Sequence, residues 1–148
     1  MSALPADTLE ETVARRLRSH RARLTSSRAR LVMVLAASGR PLTIPEILGR
    51  RHGLAQSSVY RNLVVLEQAG VVRRIVTHDE RTRYELAEEL TGHHHHLVCS
   101  RCGLVEDVPA SDDLERSVAA AAARTARSTG FRIDHHRIDL LGICGPCS

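Results

Sequence analysis

Every cysteine in this 148-residue chain belongs to a Cys-x-x-Cys pair, and four consecutive histidines stand just before the first pair. These residues are His93, His94, His95, His96, Cys99, Cys102, Cys144 and Cys147. Thiolate and imidazole groups bind borderline-soft divalent metals better than other side chains do. The pattern therefore predicts metal binding. The sequence has no His-Glu-x-x-His motif and no nucleophile motif, so we do not expect an enzyme.

The two cysteine pairs supply the four thiolates that a tetrahedral Zn²⁺ site requires. The 41 residues between Cys102 and Cys144 exceed the spacing of roughly 15–20 in a compact zinc ribbon. We therefore predict a structural zinc that joins the end of a small domain to its beginning. A dithiol redox pair at Cys144 and Cys147 is the alternative, although such a motif normally opens a helix and here one residue follows it.

A strand from His93 to Val98 would point alternate side chains to opposite faces of a sheet. His93 and His95 would then share one face, and His94 and His96 the other. The run thus predicts two metal sites, each of which needs further ligands from elsewhere in the chain. The candidates are Glu85, Glu88, Glu89, Asp107, Glu115, His135 and His136.

All 21 basic residues are arginine, and they are unevenly distributed along the chain. The segment from Thr12 to Arg74 has a formal charge of +11, whereas Thr91 to Ser148 has −1. A basic first half beside a slightly acidic second half predicts two domains, of which the first binds a polyanion. An arginine-rich surface that only faces solvent is the alternative.

Apolar periodicity in the basic half predicts four helices followed by a hairpin. The first helix covers about Glu10 to His20, and the next three have predicted N-caps at Ser27, Thr43 and Ser57. The hairpin strands are predicted over Val71–Val76 and Arg81–Leu86. This order is typical of a winged helix-turn-helix domain, in which the helix before the wing enters the major groove of DNA.

The remaining residues predict a small second domain. Short strands flank the first cysteine pair, a helix runs from Asp112 to about Ser128, and Arg132 to Leu141 alternates like a strand. We therefore predict an α+β chain. It has a winged helix-turn-helix domain over residues 1–86, a hinge over 87–92 and a small C-terminal α/β domain over 93–148.

The predicted fourth helix carries polar groups that suit nucleic acid. The hydroxyls of Ser57, Ser58 and Tyr60 can bind phosphates, and Arg61 can bind a phosphate or a guanine. An ordinary core helix with a polar face is the alternative. The basic charge and the hairpin that follows favour double-stranded DNA as the partner.

The start of the sequence has no cationic segment followed by an apolar stretch, which a secretory signal would require. No apolar run approaches the length of about 18 residues needed to span a bilayer. We therefore expect a cytoplasmic protein with no membrane partner, in a compartment that keeps thiols reduced.

Three sequence blocks together resemble the ferric uptake regulator (Fur) family. They are Leu24-Thr25-x-x-Arg28, Ser58-Val59-Tyr60-Arg61-Asn62-Leu63 and the run from His93 through Cys102-Gly103. The resemblance covers nearly the whole chain from about residue 20, and the histidine-to-cysteine block is highly specific. It implies a dimeric metal-sensing repressor with an N-terminal winged-helix domain and a C-terminal dimerisation domain.

The resemblance also implies a role for each candidate residue. The structural zinc ligands are Cys99, Cys102, Cys144 and Cys147. A site within the dimerisation domain is formed by His93, His95, Glu115 and His136. A site at the domain junction is formed by His94, His96 and a carboxylate, which is Glu85 or, as the alternative, Glu89. His52 or His78 is the alternative source of a further ligand. Taken together with the residue chemistry, the predicted DNA-binding residues are Tyr60, Arg61, Ser57, Ser58 and Arg28.

Some metal ligands that are typical of other family members are missing from this sequence, and the resemblance therefore also indicates which metal is sensed. Many members supply a junction histidine before the third helix, but here that stretch reads Gly39-Arg40-Pro41-Leu42. Zinc sensors often use an additional cysteine there, and peroxide sensors favour aspartate at the position of Glu85. We therefore predict an iron sensor, with Zn²⁺, Mn²⁺ and Ni²⁺ as alternatives. The alternative functions are a zinc-stapled nucleic-acid-binding protein without sensing and a zinc or thiol enzyme.

Overall fold

Two separate three-stranded sheets organise the chain, one in each half. The structure, a computed structural model, describes residues 5–50 and 53–148. Its helices are α1 (Ala6–Ser19), α2 (Ser26–Ala36), α3 (Ile44–Arg50), α4 (Gln56–Gln68), α5 (Glu88–Thr91) and α6 (Asp112–Thr129). Its strands are β1 (Leu42–Thr43), β2 (Val72–Val76), β3 (Thr82–Leu86), β4 (His94–Cys99), β5 (Val105–Pro109) and β6 (Asp139–Gly142). A 3-10 turn covers Gly145–Cys147. The α+β class predicted from the sequence is confirmed.

The N-terminal half is a winged helix-turn-helix domain. Strands β2 and β3 form an antiparallel wing, and β1 pairs with the other edge of β3. Its core is aliphatic and includes the fully buried Val13, Leu17, Leu31, Leu63 and Leu66. Burial of each such side chain contributes about 1.5–3 kcal/mol. The apolar face of α4 therefore packs inward, and its polar face is left on the surface.

Helix beginnings in this half follow local hydrogen bonds. Thr25 caps α2, because its hydroxyl accepts a backbone N–H three residues later at 3.4 Å. The cap predicted at Ser27 was wrong. Thr43 caps α3 as predicted, within a reciprocal capping box. Helix α4 begins at Gln56, so Ser57 lies inside its first turn and does not cap it.

The predicted hinge, residues 87–92, contains the single-turn helix α5. This helix follows β3 almost directly and ends at Gly92, whose positive φ of 90° turns the chain towards β4. Leu90 is buried in the N-terminal core, so the hinge is anchored on that side. The exact domain limits stay predictions.

Strand β4 lies at the centre of the C-terminal sheet, whose order is β5-β4-β6. It pairs antiparallel with β5 and parallel with β6. A central strand directs its side chains to both faces of the sheet, so the histidines of β4 can serve two sites. The predicted strand over Arg132–Leu141 was too long, because pairing with β4 begins only at Asp139.

Helix α6 and the chain around β6 leave an apolar surface exposed. Helix α6 buries none of its residues, although Ser111 caps it and Gly130 ends it in the left-handed conformation. Phe131 is 73% exposed, Leu141 75% and Ile143 52%. Large apolar side chains exposed to this extent are typical of a protein–protein interface. Among the described helices, α6 included, none is long and apolar enough to span a membrane.

The loop of the first cysteine pair packs directly against the wing. Gly103 has a positive φ of 70°, and a Cβ added there would lie 2.2 Å from Asp79 Oδ2. That carboxylate is held by the buried Arg83, whose Nη1 and Nη2 donate to its two oxygens at 3.0 and 2.8 Å. Hydrogen bonding to Arg83 keeps the pKa of Asp79 well below its usual value, so the pair stays charged.

A Gly103→Ala variant is expected to lose about 2–4 kcal/mol of unfolding free energy, because it adds left-handed strain to an overpacked contact. Gly39→Ala is the matched control. Gly39 also has a positive φ, 62°, but nothing lies within 4 Å of its Cβ position. That control should lose only the backbone strain of about 1–2 kcal/mol. Urea unfolding measures both variants, and equal losses would mean that the contact with the wing does not matter.

Candidate metal centres and DNA-binding surface

Three groups of metal-binding side chains come together in the structure, each with its potential ligand atoms within 4.8 Å of one another. The cysteine cluster comprises Cys99, Cys102, Cys144 and Cys147. The C-terminal cluster comprises His93, His95, Glu115 and His136. The junction cluster comprises Glu85, His94, His96 and Asp107. The first two groups contain the same residues as the predicted sites. The third contains Asp107 in place of the predicted Glu89.

The cysteine cluster lies where β4 and β6 end side by side. Their parallel pairing places Cys99 opposite Gly142, so the chain after β6 returns Cys144 to the first pair. Cys102 Sγ and Cys144 Sγ are 3.7 Å apart. A tetrahedron with Zn–S bonds of about 2.3 Å has S···S edges of about 3.8 Å. None of the four cysteines forms a disulfide, and this spacing suits four sulfurs around one ion.

Backbone N–H groups stabilise the thiolate of Cys99. The N–H groups of Cys102 and Cys144 point at its sulfur, that of Cys144 at 3.4 Å, and lower its pKa to about 5. Contact with the sulfurs of Cys144 and Cys102 raises the pKa of Cys147 to about 12. Four thiols this close cannot all ionise unless a cation is bound between them, and Zn²⁺ would supply that charge.

The C-terminal cluster gathers around Glu115 of α6. His95 Nε2 lies 2.8 Å from Glu115 Oε1, and His93 Nε2 lies 3.1 Å from Oε2. His136 Nε2 is 3.2 Å from Oε2 and 3.1 Å from His93 Nε2. Desolvation raises the pKa of Glu115, but the hydrogen bond with His95 and the neighbouring imidazoles lower it more. Three imidazoles and a carboxylate suit Zn²⁺, Fe²⁺ or Mn²⁺, and His135 lies outside this set.

Three histidines of the C-terminal and junction clusters are oriented by a contact between their Nδ1 atom and an oxygen atom. His93 Nδ1 contacts Glu88, His94 Nδ1 lies 2.9 Å from the Gly92 carbonyl oxygen, and His96 Nδ1 lies 3.3 Å from Asp139 Oδ1. An Nδ1–H donated to such an oxygen leaves Nε2 directed at the cluster, the arrangement usual for metal-bound histidines.

The junction cluster connects the wing to the C-terminal sheet. Glu85 belongs to β3 and is 5% exposed, whereas His94 and His96 belong to β4. Glu85 Oε2 lies 3.2 Å from His96 Nε2 and 3.4 Å from His94 Nε2. Asp107 Oδ1 lies 3.9 and 4.0 Å from the same nitrogens, and it is buried without a hydrogen-bond partner. Buried polar atoms normally have partners, and a divalent cation between these four groups would supply one.

Charges in the junction cluster are strongly coupled. The hydrogen bond to Glu85 raises the pKa of His94 to about 9. Burial raises the pKa of Glu85, but hydrogen bonds from His94 and His96 outweigh it and bring that pKa to about 2. Burial also raises the pKa of Asp107. In the absence of a bound cation His94 therefore carries a proton at neutral pH, and metal binding would release it.

Glu89 does not belong to the junction cluster, which corrects the sequence prediction. Its side chain is 70% exposed, and its carboxylate lies 3.7 Å from Arg16 of α1. The single turn of α5 directs Glu88 towards His93 and directs Glu89 the other way. A solvent-facing carboxylate on that side cannot reach the histidines of β4.

Asp107 of β5 is the carboxylate that the sequence left among its general candidates and did not assign to the junction. It pairs directly with His96 in the β4–β5 register, so the two side chains share one face of the sheet. The sequence gives no local signal for that register, which depends on the loop between the two strands. His78 belongs to no cluster of the described residues, and His52 lies outside those residues.

The surface of α4 carries most of the predicted DNA-binding residues. The exposed ones are Ser57, Tyr60 and Arg61. Arg28 forms a hydrogen bond within the protein, in which its Nε donates to Asn62 Oδ1 at 3.1 Å. Asn62 in turn donates to Ser58 Oγ at 3.1 Å. These bonds brace α4 against α2, and DNA contacts at Arg28 and Ser58 stay predictions.

A winged helix joined to a small domain with clustered metal ligands defines a class of metal-binding regulators that recognise DNA. The model of the ferric uptake regulator family matches residues 19–141. The chain therefore belongs to the ferric uptake regulator family, whose members are transcriptional regulators and not enzymes. This confirms the resemblance that the sequence blocks indicated.

Three proteins illustrate how similar the chain is to other members. The peroxide operon regulator of Bacillus subtilis strain 168 is 30% identical over 102 residues, which span 68% of this chain and 63% of that protein. A zinc-bound manganese uptake regulator is 30% identical, covers 93% of this chain and 98% of its own, and has a TM-score of 0.65. The ferric uptake regulator of Helicobacter pylori, which has three functional metal-binding sites, shares the fold with a TM-score of 0.78. The two sequences are 22% identical, and the match covers 99% of this chain and 96% of the other.

Proposed function

We propose that this protein is a metal-dependent repressor that binds operator DNA as a homodimer and controls genes of metal homeostasis. The junction cluster carries the proposal, because it combines Glu85 of the wing with His94 and His96 of the C-terminal sheet. Glu85 Oε2 lies 3.2 Å from His96 Nε2 and 3.4 Å from His94 Nε2. A bound divalent cation would hold these atoms together and so favour one angle between the two halves of the chain.

The cysteine cluster supports this function as a structural site. Four thiolates would leave a Zn²⁺ ion no open position for water, so the site suits folding and not catalysis. One cysteine pair follows β4 and the other follows β6, so the ion would fasten the two parallel strands at one end. Folding of the C-terminal sheet would then depend on zinc.

The donor set of the junction cluster bears on the regulatory metal. Two carboxylates and two imidazoles suit Fe²⁺ and Mn²⁺ as well as Zn²⁺ and Ni²⁺, since the cluster contains no thiolate to favour a softer ion. We favour Fe²⁺ because the junction has no cysteine and position 85 is glutamate. Operator affinity titrated with each of the four ions, paired with metal analysis of the purified protein, tests this choice. A response to the other ions without a response to Fe²⁺ would reject iron.

The exposed apolar surface of the C-terminal half supports a homodimer. Phe131, Leu141 and Ile143 are 52–75% exposed, and α6 buries none of its residues. Pairing of this surface with a second copy would cover it around a two-fold axis. Two winged helices in one dimer would then face the two half-sites of a palindromic operator, about one helical turn apart. Sedimentation of the zinc-loaded protein as a monomer at micromolar concentration would argue against this assembly.

Arg61→Gln is expected to weaken operator binding about tenfold or more, because its guanidinium can bind guanine or phosphate. Within the chain its Nε donates to the carbonyl of Ser57 in the same helix, so folding and zinc content should not change. Arg132→Gln removes the same charge from the C-terminal half, where Arg132 is 89% exposed, and is the control. Band-shift titration at fixed salt compares them, and unchanged affinity would remove Arg61 from the DNA-binding surface.

A further inference from the structure

Arg73 of β2 reaches the junction cluster, although arginine is not a metal ligand. Its Nε donates to Glu85 Oε1, and its Nη2 lies 3.4 Å from His94 Nε2. The β2–β3 register places Arg73 directly opposite Glu85, so the contact is built into the sheet. The guanidinium therefore lies beside two of the groups that would hold the regulatory metal.

The charge of Arg73 makes it a competitor for that metal. Glu85 is 5% exposed, and a carboxylate so buried requires a cation or several donors beside it. Arg73 supplies that charge through Glu85 Oε1, while Oε2 faces the two imidazoles. A divalent cation held by Glu85 Oε2 and His94 Nε2 would lie close to the guanidinium, and the two positive charges would repel each other.

Glu88 offers the guanidinium another acceptor outside the junction cluster. Its Oε2 lies 3.5 Å from Arg73 Nη1, and its other oxygen contacts His93 Nδ1. Arg73 can therefore shift from Glu85 to Glu88 and keep a carboxylate partner. Because His93 belongs to the C-terminal cluster, Glu88 links that cluster to Arg73, which lies beside the junction cluster.

We propose that Arg73 is the resident counter-cation of the junction cluster and that it raises the metal concentration at which the junction fills. The guanidinium neutralises Glu85 before metal binds and moves to Glu88 when a divalent cation enters. Arg73 thereby sets the sensitivity of the sensor without being a ligand. This inference rests on the proposed function of the junction cluster as the regulatory metal site.

Mn²⁺ binding to the zinc-loaded full chain, followed by loss of the EPR signal of the free ion, tests the inference. Arg73→Gln removes the charge and should lower the Mn²⁺ dissociation constant of the junction about tenfold, as expected when one charged hydrogen-bond competitor is lost. Arg73→Lys keeps the charge and should stay within about threefold of the wild type. Arg74→Gln is the matched control, because Arg74 faces the other side of β2 and pairs with Glu67 at 2.6 Å. It should leave Mn²⁺ binding unchanged.

A Glu85→Gln variant identifies the part of the Mn²⁺ binding that belongs to the junction. If that variant binds Mn²⁺ as the wild type does, the proposed function of the junction fails, and the inference fails with it. If the wild type binds at the junction and Arg73→Gln binds equally well or more weakly, only the role of Arg73 is refuted.

The melting temperature of the protein before Mn²⁺ is added gives a second readout. Arg73→Gln should lower it, because Glu85 loses the guanidinium beside it, and added Mn²⁺ should reverse the loss. A lower melting temperature that Mn²⁺ does not restore would mean that Arg73 has only a structural role.

Discussion

Cys144→Ser is expected to remove the structural zinc and to unfold the C-terminal sheet. Structural zinc sites contribute about 10–16 kcal/mol to metal-dependent domains, which is as large as the whole stability of about 5–15 kcal/mol of an ordinary domain. Cys144 lies 3.7 Å from Cys102, at the point where the two cysteine pairs meet. Atomic absorption should show the loss of at least one zinc ion per chain, and circular dichroism should show loss of the sheet.

Ser100→Ala separates the loss of zinc from the loss of an ordinary hydrogen bond. Ser100 lies between Cys99 and Cys102, and its hydroxyl donates to the Gly142 carbonyl at 2.8 Å. This control should retain zinc and lose only about 1 kcal/mol of stability. If Cys144→Ser also retained its zinc and its folded sheet, the four cysteines would not be structural ligands.

Glu85→Gln is expected to abolish the metal dependence of operator binding and to leave the structural zinc in place. Glutamine keeps the size of the side chain but loses the charge with which Glu85 would hold a divalent cation. A ligand at one site typically changes the affinity of a second site about 5–150-fold. In this variant we expect the ratio of operator affinities with and without metal to fall to about one. Fluorescence anisotropy with labelled operator, recorded with and without metal at one salt concentration, measures the change.

Glu89→Gln is the matched control, because it also replaces a glutamate by glutamine, but at a hinge position four residues after Glu85. Glu89 is 70% exposed and lies 3.7 Å from Arg16, and exposed ion pairs contribute only about 0–1 kcal/mol. This variant should therefore keep the full response to metal. Loss of the response in Glu89→Gln, with Glu85→Gln unaffected, would favour the alternative in which Glu89 replaces Glu85 in the junction site.

The residues that could be placed from the sequence are those whose arrangement depends on local geometry. A Cys-x-x-Cys spacing brings two sulfurs to one ion whatever the surrounding fold. The period-two alternation of a strand separates His93 and His95 from His94 and His96, and the two pairs do join different clusters in the structure. The helices of the N-terminal half and the wing followed from apolar periodicity in the same way.

Partners that depend on tertiary pairing could not be placed in this way. Asp107 joins the junction because the β4–β5 register sets it opposite His96, and register depends on the geometry of the intervening loop. Glu89 is turned away by α5, which has only four residues and leaves no periodic signal. The segment 132–137 alternates like a strand but forms no strand pairing with the described residues, and β-structure depends on such pairing.

Operator binding by the zinc-loaded wild-type protein, measured anaerobically at one salt concentration with and without Fe²⁺, tests the central claim most directly. We predict that Fe²⁺ raises operator affinity by about 5–150-fold, the usual range of allosteric coupling. Equal affinity of the protein with and without added metal, for Fe²⁺ and for the three alternative ions, would contradict the claim that the junction cluster controls the DNA-binding domain.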